Sequence, residues 1–125
     1  MGKVIHISKT EFCRRIADIE QHPHDWRYLG NKPAIVDFFA SWCGPCRALS
    51  PVLDKLADEY DSRIYIYKVD VDAERELASI FGIRSVPTLL FIPVYGKPRL
   101  VTGLQPVEKL HDAIDTMLTP ALAKG

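Results

Sequence analysis

The sequence predicts an α/β fold: a central mixed five-stranded sheet with helices on both faces. Two observations carry this expectation. Apolar runs of strand length alternate with segments whose apolar residues recur at helical spacing, which implies parallel strands joined by helical crossovers. The last two strand-like runs instead flank the turn-rich stretch PVYGKP at 93–98, which adds an antiparallel hairpin. At 125 residues the chain reads as one domain over 1–125, long enough to bury a core without disulfide staples.

VIHI at 4–7 reads as a short strand. Ser8 and Glu11 then make the S-x-x-E pattern of a capping box, and Phe12, Ile16 and Ile19 mark one face of the helix that follows. Residues 21–33 hold two prolines, a glycine and an asparagine, and read as a long loop; its aromatics Trp26 and Tyr28 are expected to anchor onto the domain. PAIVDFFA at 33–40 is almost unbroken in its apolarity, as a central strand covered on both faces requires. Leu49, Val52, Leu53, Leu56, Ala57 and Tyr60 follow at helical spacing, with Pro51 inside the pattern. A third strand is expected within 63–72, a helix over 73–81 ending at Gly82, and strands at TLLFI and RLVTG. Pro106 suits the start of a last helix whose core face is Val107, Leu110, Ile114 and Met117.

Composition narrows the function. Sixteen basic residues balance sixteen acidic ones, so no overall field favours nucleic acid or an anionic membrane. No apolar run approaches the roughly 18 residues of a membrane helix. The opening MGKVIHISKT has no apolar stretch of the signal-peptide kind, which gives a cytoplasmic expectation; a periplasmic protein after leader removal would read the same way. Three cysteines are too few for a disulfide-rich scaffold, and Cys13 reads as a small buried hydrophobe.

The chemistry concentrates in ASWCGPCRALSP at 40–51. Cys43 stands where the central strand ends and a helix begins, the edge at which open α/β sheets place their sites. Unpaired backbone N–H groups and the helix dipole there favour an anion and lower a thiol pKa. An ordinary thiol is only about 3% thiolate at pH 7, and the thiolate is the nucleophile. Spacing of i, i+3 brings Cys46 onto the same face, within reach of a disulfide. Structural zinc wants four ligands where this chain has one Cys pair, and His22 and His24 read as solvated loop residues, so no metal is expected. A permanent disulfide would gain little entropy from closing so small a loop. Asp37, inside AIVDFF, is expected to lie buried beneath the cysteine helix with a raised pKa, where it can act as general base toward the inner thiol. Lys68, in IYIYKVD, is its possible partner on a neighbouring strand or else a solvated lysine.

VDFFASWCGPC, the interrupting Pro51, GIRSVPT and the later Gly103 occur together in an order that resembles the thioredoxin family, well over 33–118 and loosely before it. The resemblance implies a thioredoxin-like three-layer sandwich and a protein disulfide reductase acting through a Cys43/Cys46 dithiol. It implies Cys43 as the attacking thiol, Cys46 as the resolving thiol, Asp37 as the buried proton acceptor and Lys68 as its charged neighbour. It further implies a cis Val86–Pro87 peptide bond that turns the Val86 backbone toward the dithiol, where an extended peptide can pair with it. The substrate-binding surface would be Trp42, Gly44, Pro45, Ile83, Val86, Pro87, Thr88 and Gly103. No bound cofactor is implied. Electrons would come from thioredoxin reductase and NADPH, or from a membrane donor outside the cytoplasm, and pass to protein disulfides; the expected state is a monomer. Pro45 stands where oxidant and isomerase relatives carry histidine, which favours a reductant. Phe39 departs from the family's usual tryptophan. The rival expectations are a non-enzymatic binding module using the same surface, and an oxidase or isomerase.

Overall fold

A computed structural model describes residues 2–119. Its elements are β1 (Val4–His6), α1 (Lys9–Arg15), β2 (Ala34–Phe39), α2 (Gly44–Tyr60), β3 (Tyr65–Asp70), α3 (Arg75–Ile80), β4 (Thr88–Ile92), β5 (Arg99–Thr102) and α4 (Val107–Leu118), with a short 3-10 helix at Asp61–Arg63. The element order is the one expected from the sequence. The strands form one sheet in the order β1-β3-β2-β4-β5, with β1·β3 and β2·β3 parallel and β2·β4 and β4·β5 antiparallel.

Central position explains why β2 is apolar throughout. Ala34, Val36 and Phe38 point into one buried cluster with Phe12, Ile16, Leu77 and Leu90. Ile35 points the other way, into a cluster built on Leu49, Leu53 and Leu56 of α2 and Leu110 and Ile114 of α4. Alternation along a strand places Asp37 on this second face, with α2 and α4. The sheet is thus the middle layer between α1/α3 and α2/α4.

Several boundaries move for local reasons. β1 stops at His6, although the Ile7 N–H still donates to the Lys68 carbonyl at 2.9 Å. α3 starts at Arg75 rather than 73, because the Asp70 carboxylate accepts the N–H groups of Asp72 and Ala73 and holds those residues in a turn. The 21–33 loop packs down as expected. Trp26 and Tyr28 lie against the first cluster, the Leu29 N–H donates to the Ile16 carbonyl at 2.8 Å, and the Tyr28 hydroxyl donates to the Lys32 carbonyl. Cys13 is a free, half-buried thiol rather than a core residue, since α1 turns its Phe12 and not its cysteine fully inward.

The capping box at α1 is complete: Ser8 Oγ accepts the Glu11 N–H and Glu11 Oε1 accepts the Ser8 N–H, both at 3.2 Å. A seven-residue helix depends on such ends. Ser8→Ala is expected to cost about 1 kcal/mol, read from the urea midpoint at unchanged slope.

Candidate active site

The site begins where β2 leaves the sheet. Cys43 is the N-cap of α2, in extended backbone (φ −88°, ψ 114°), and Gly44 and Pro45 open the helix. Proline is harmless there because the first helical N–H groups have no intrahelical acceptor. The Cys46 N–H donates to Cys43 Sγ at 3.1 Å, so the sulfur occupies the place of a capping oxygen. The two cysteines are joined in a disulfide, their Cα atoms 5.2 Å apart. Both are almost covered, Cys43 at 4% exposure and Cys46 at 2%, within a small cluster with Ala40, Phe39, Val71 and Val86.

The second wall is the segment before β4. The Val86–Pro87 bond is cis, and the Val86 carbonyl oxygen lies 3.6 Å from Cys43 Sγ. Thr88 Oγ1 donates to the Ser85 carbonyl at 2.8 Å, and the Gly103 N–H donates to the Pro87 carbonyl at 2.8 Å. Gly103 has φ +95°, in the region that favours glycine. Thr88 and Gly103 therefore brace the wall from β4 and from the end of β5. Gly44 and Pro45 are exposed, Ile83 and Val86 half-buried, and Pro87 and Thr88 buried. Ile83 also packs on the first core cluster. Trp42 is 67% exposed, with its ring N–H donating to Asp72 Oδ2 at 2.8 Å.

The acid lies within β2, six residues before Cys43. Asp37 has no exposed surface, and neither of its oxygens accepts a hydrogen bond among the described residues. Burial pushes its carboxyl up to about 6; the positive charge of Lys68 pulls the other way and only partly offsets this. Lys68 is its register partner across β2·β3 and is itself 8% exposed, which removes the solvated-lysine alternative. Its ammonium donates to Ser50 Oγ at 3.2 Å and lies 4.5 Å from the centre of the Phe39 ring.

Among the sequence-expected residues, Cys43, Cys46 and Val86 converge directly, and Asp37 and Lys68 form a buried register pair across β2·β3. Ser50 and Asp72 were not anticipated. Ser50 had a signal, since it follows Cys46 by four positions and so lies one turn along the same helix face. Asp72 had none, because its partner lies 30 residues away. His22 and His24 are exposed in the loop. Among the described residues no group of three or more His, Cys, Asp or Glu stands together in a way that could hold a metal ion, and no helix is long and apolar enough to cross a membrane.

Comparison with known proteins agrees with this geometry. The thioredoxin family model matches residues 3–116. A thioredoxin of Borreliella burgdorferi is 43% identical over 99 residues, covering 79% of this chain and 84% of the relative. Thioredoxin 1 of Nostoc sp. is 41% identical over 86 residues, 69% of this chain and 80% of the relative. Among solved structures, an N21Q mutant thioredoxin from Halobacterium salinarum superposes with a TM-score of 0.76 at 31% identity, covering 95% of this chain and 94% of that one. With a family model spanning nearly all of the described residues and a disulfide capping α2 beside a cis-proline wall, this chain belongs to the thioredoxin family and is a thiol–disulfide oxidoreductase of the disulfide-reductase type.

Proposed function

We propose that the chain reduces protein disulfides with Cys43 as nucleophile, Cys46 as resolving thiol and Asp37 as proton acceptor. The observation that carries this reading is the position of Cys43, capping α2 with its sulfur already accepting a helix N–H and the Val86 carbonyl beside it. A thiolate at that N-cap keeps the same hydrogen bond and gains the dipole of a 17-residue helix.

In the reduced protein, Cys43 thiolate attacks one sulfur of an exposed disulfide. A Cys43–substrate bond forms, the substrate S–S bond breaks, and the first substrate thiolate leaves and takes up a proton. Cys46, losing its proton toward Asp37 directly or through water, then attacks Cys43 Sγ. The Cys43–Cys46 bond closes and the second substrate thiol departs, so two electrons have passed from chain to substrate. Asp37 suits this task because a carboxylate with pKa near 6 is a stronger base than an ordinary one and is still largely ionised at neutral pH.

Trp42, Gly44, Pro45, Ile83, Val86, Pro87, Thr88 and Gly103 make up the proposed docking surface. An extended substrate would lie along the Val86 backbone, whose carbonyl takes no part in the sheet ladder. Trp42, held by Asp72, gives the surface an apolar rim. The chain works as one domain without a bound cofactor, as a cytoplasmic monomer, and draws electrons indirectly from NADPH through a thioredoxin reductase or from another dithiol donor.

Pro45 in place of histidine favours the reducing direction. Equilibration of the Cys43/Cys46 pair against defined thiol buffers, followed by acid trapping, is expected to give a potential near the roughly −270 mV of thioredoxins. A potential above that of the glutathione pool would overturn the reductant direction in favour of an oxidant or isomerase.

A further inference from the structure

Among the described residues the Lys68 ammonium has two partners, and neither is the acid opposite it. Asp37 and Lys68 are register neighbours on adjacent parallel strands, so their side chains leave the sheet on the same face. Two opposite charges so placed in a buried site would ordinarily close into an ion pair. Here both Asp37 oxygens lack any hydrogen-bond donor among the described residues. The ammonium instead meets Ser50 Oγ at 3.2 Å, offered by α2, and the face of Phe39 at 4.5 Å, offered by the end of β2. Hydroxyl and ring together form a cradle for the charge.

We propose that Ser50 is a positioning residue that holds the Lys68 ammonium away from the Asp37 carboxylate. This rests on the assignment of Asp37 as proton acceptor for Cys46, and deepens it: Ser50 decides how basic that acceptor is. Three elements pack around the acid. From β3 comes Lys68, among the described residues the one charged group that acts on Asp37; from β4 comes the apolar register partner Leu89; and the charged side chains of α2 (Arg47, Asp54, Lys55, Asp58 and Glu59) are exposed. In the oxidised protein the Cys43 and Cys46 sulfurs do not titrate, so a change in the Asp37 midpoint between Ser50 variants reports the cradle.

Without the Ser50 hydroxyl, the ammonium loses its only hydrogen-bond acceptor in the described structure, and the free carboxylate is the charged acceptor on its own face. Approach of the two charges favours the ionised acid and lowers its proton affinity. The result is a weaker base beneath Cys46.

The test follows the Asp37 side-chain carboxyl by carbon-13 NMR against pH in the full-length oxidised protein. Wild type is compared with Ser50→Ala and with the isosteric pair Ser50→Thr and Ser50→Val. That pair has the same shape and differs only in the hydroxyl, so it answers the question even if the alanine variant packs poorly. The expected result is a midpoint about one pH unit lower in S50A and S50V, with S50T at the wild-type value. An unchanged midpoint in S50V would overturn the proposal, and so would a raised one, because the lysine would then have turned to solvent. Resolution of a pre-formed mixed disulfide, measured over the same pH range in the reduced proteins, should show its acidic limb moved in the same direction. Failure of the base assignment would look different: Asp37→Asn would resolve mixed disulfides at the wild-type rate, while the S50V titration would still judge the cradle independently.

Discussion

Cys43→Ser is expected to abolish disulfide reduction, with a fall of at least about 10³-fold in turnover, whereas Cys46→Ser should stop the reaction halfway and accumulate a covalent complex with the substrate. The asymmetry follows from the geometry. Only Cys43 caps α2 and meets the Val86 carbonyl, which is why the proposed scheme gives it the first attack. A serine there is un-ionised at neutral pH and forms no S–S bond, so the pathway has no first step. Cys46 lies inside the first turn of α2, and its sulfur takes no part in that cap. Its loss leaves the first attack intact and removes the thiol that ends the mixed disulfide. The measurement is a reduction assay on a protein disulfide, followed by non-reducing electrophoresis and mass spectrometry of the product. Normal turnover by Cys46→Ser would mean that substrate thiols resolve the intermediate, and the two-thiol scheme would fail.

The second large effect concerns stability. Asp37→Asn is expected to stabilise the oxidised protein at neutral pH relative to wild type, by an amount that vanishes in acid. The folded-state pKa of about 6 lies above the ordinary value of 3.8, because burial disfavours the carboxylate. A group whose pKa is raised on folding binds its proton more tightly in the folded state. Its contribution is fully present below about pH 3.8 and is lost as pH rises through about 6. Each pH unit between the two values is worth about 1.4 kcal/mol, so the span comes to about 3 kcal/mol. Asparagine has no charge to desolvate and makes no such loss. Because the unfolded carboxyl is already more than half ionised at pH 4, urea denaturation at pH 4 and pH 8 should show the difference between variant and wild type widening by about 2 kcal/mol. A pH-independent difference would mean that Asp37 is ionised as readily in the fold as in water. The same burial that imposes this cost at neutral pH is what would make Asp37 a stronger base in the proposed reaction.

The pattern of polar and apolar residues sufficed for much of this architecture. AIVDFF could be placed at the sheet centre because nearly every position is apolar on both faces, and the burial of β2 bears this out. Ser8 and Glu11 declared the start of α1, and the 93–98 stretch declared the hairpin, because capping and turn chemistry act over three or four residues. The active dithiol was legible for the same reason: Cys43 and Cys46 are one helical turn apart, and their reactivity comes from the strand end and helix start on either side of them.

Other features depended on contacts that no local pattern encodes. The trimmed start of α3 reflects an Asp70 side chain competing for N–H groups that helical periodicity alone would assign to the helix. The Trp42–Asp72 hydrogen bond joins residues 30 apart, and the Asp37–Lys68 pairing exists only because β2 and β3 adopt one parallel register. The sequence by itself determined the order of elements and the position of the dithiol, since both follow from interactions within a turn or a strand. Only the tertiary structure decided that Lys68 is buried, that Ser50 and Phe39 hold it, and that the buried Asp37 accepts no hydrogen bond among the described residues. Those outcomes turn on which side chains meet across the packed faces of sheet and helix, where burial and the distance between charges set the energies.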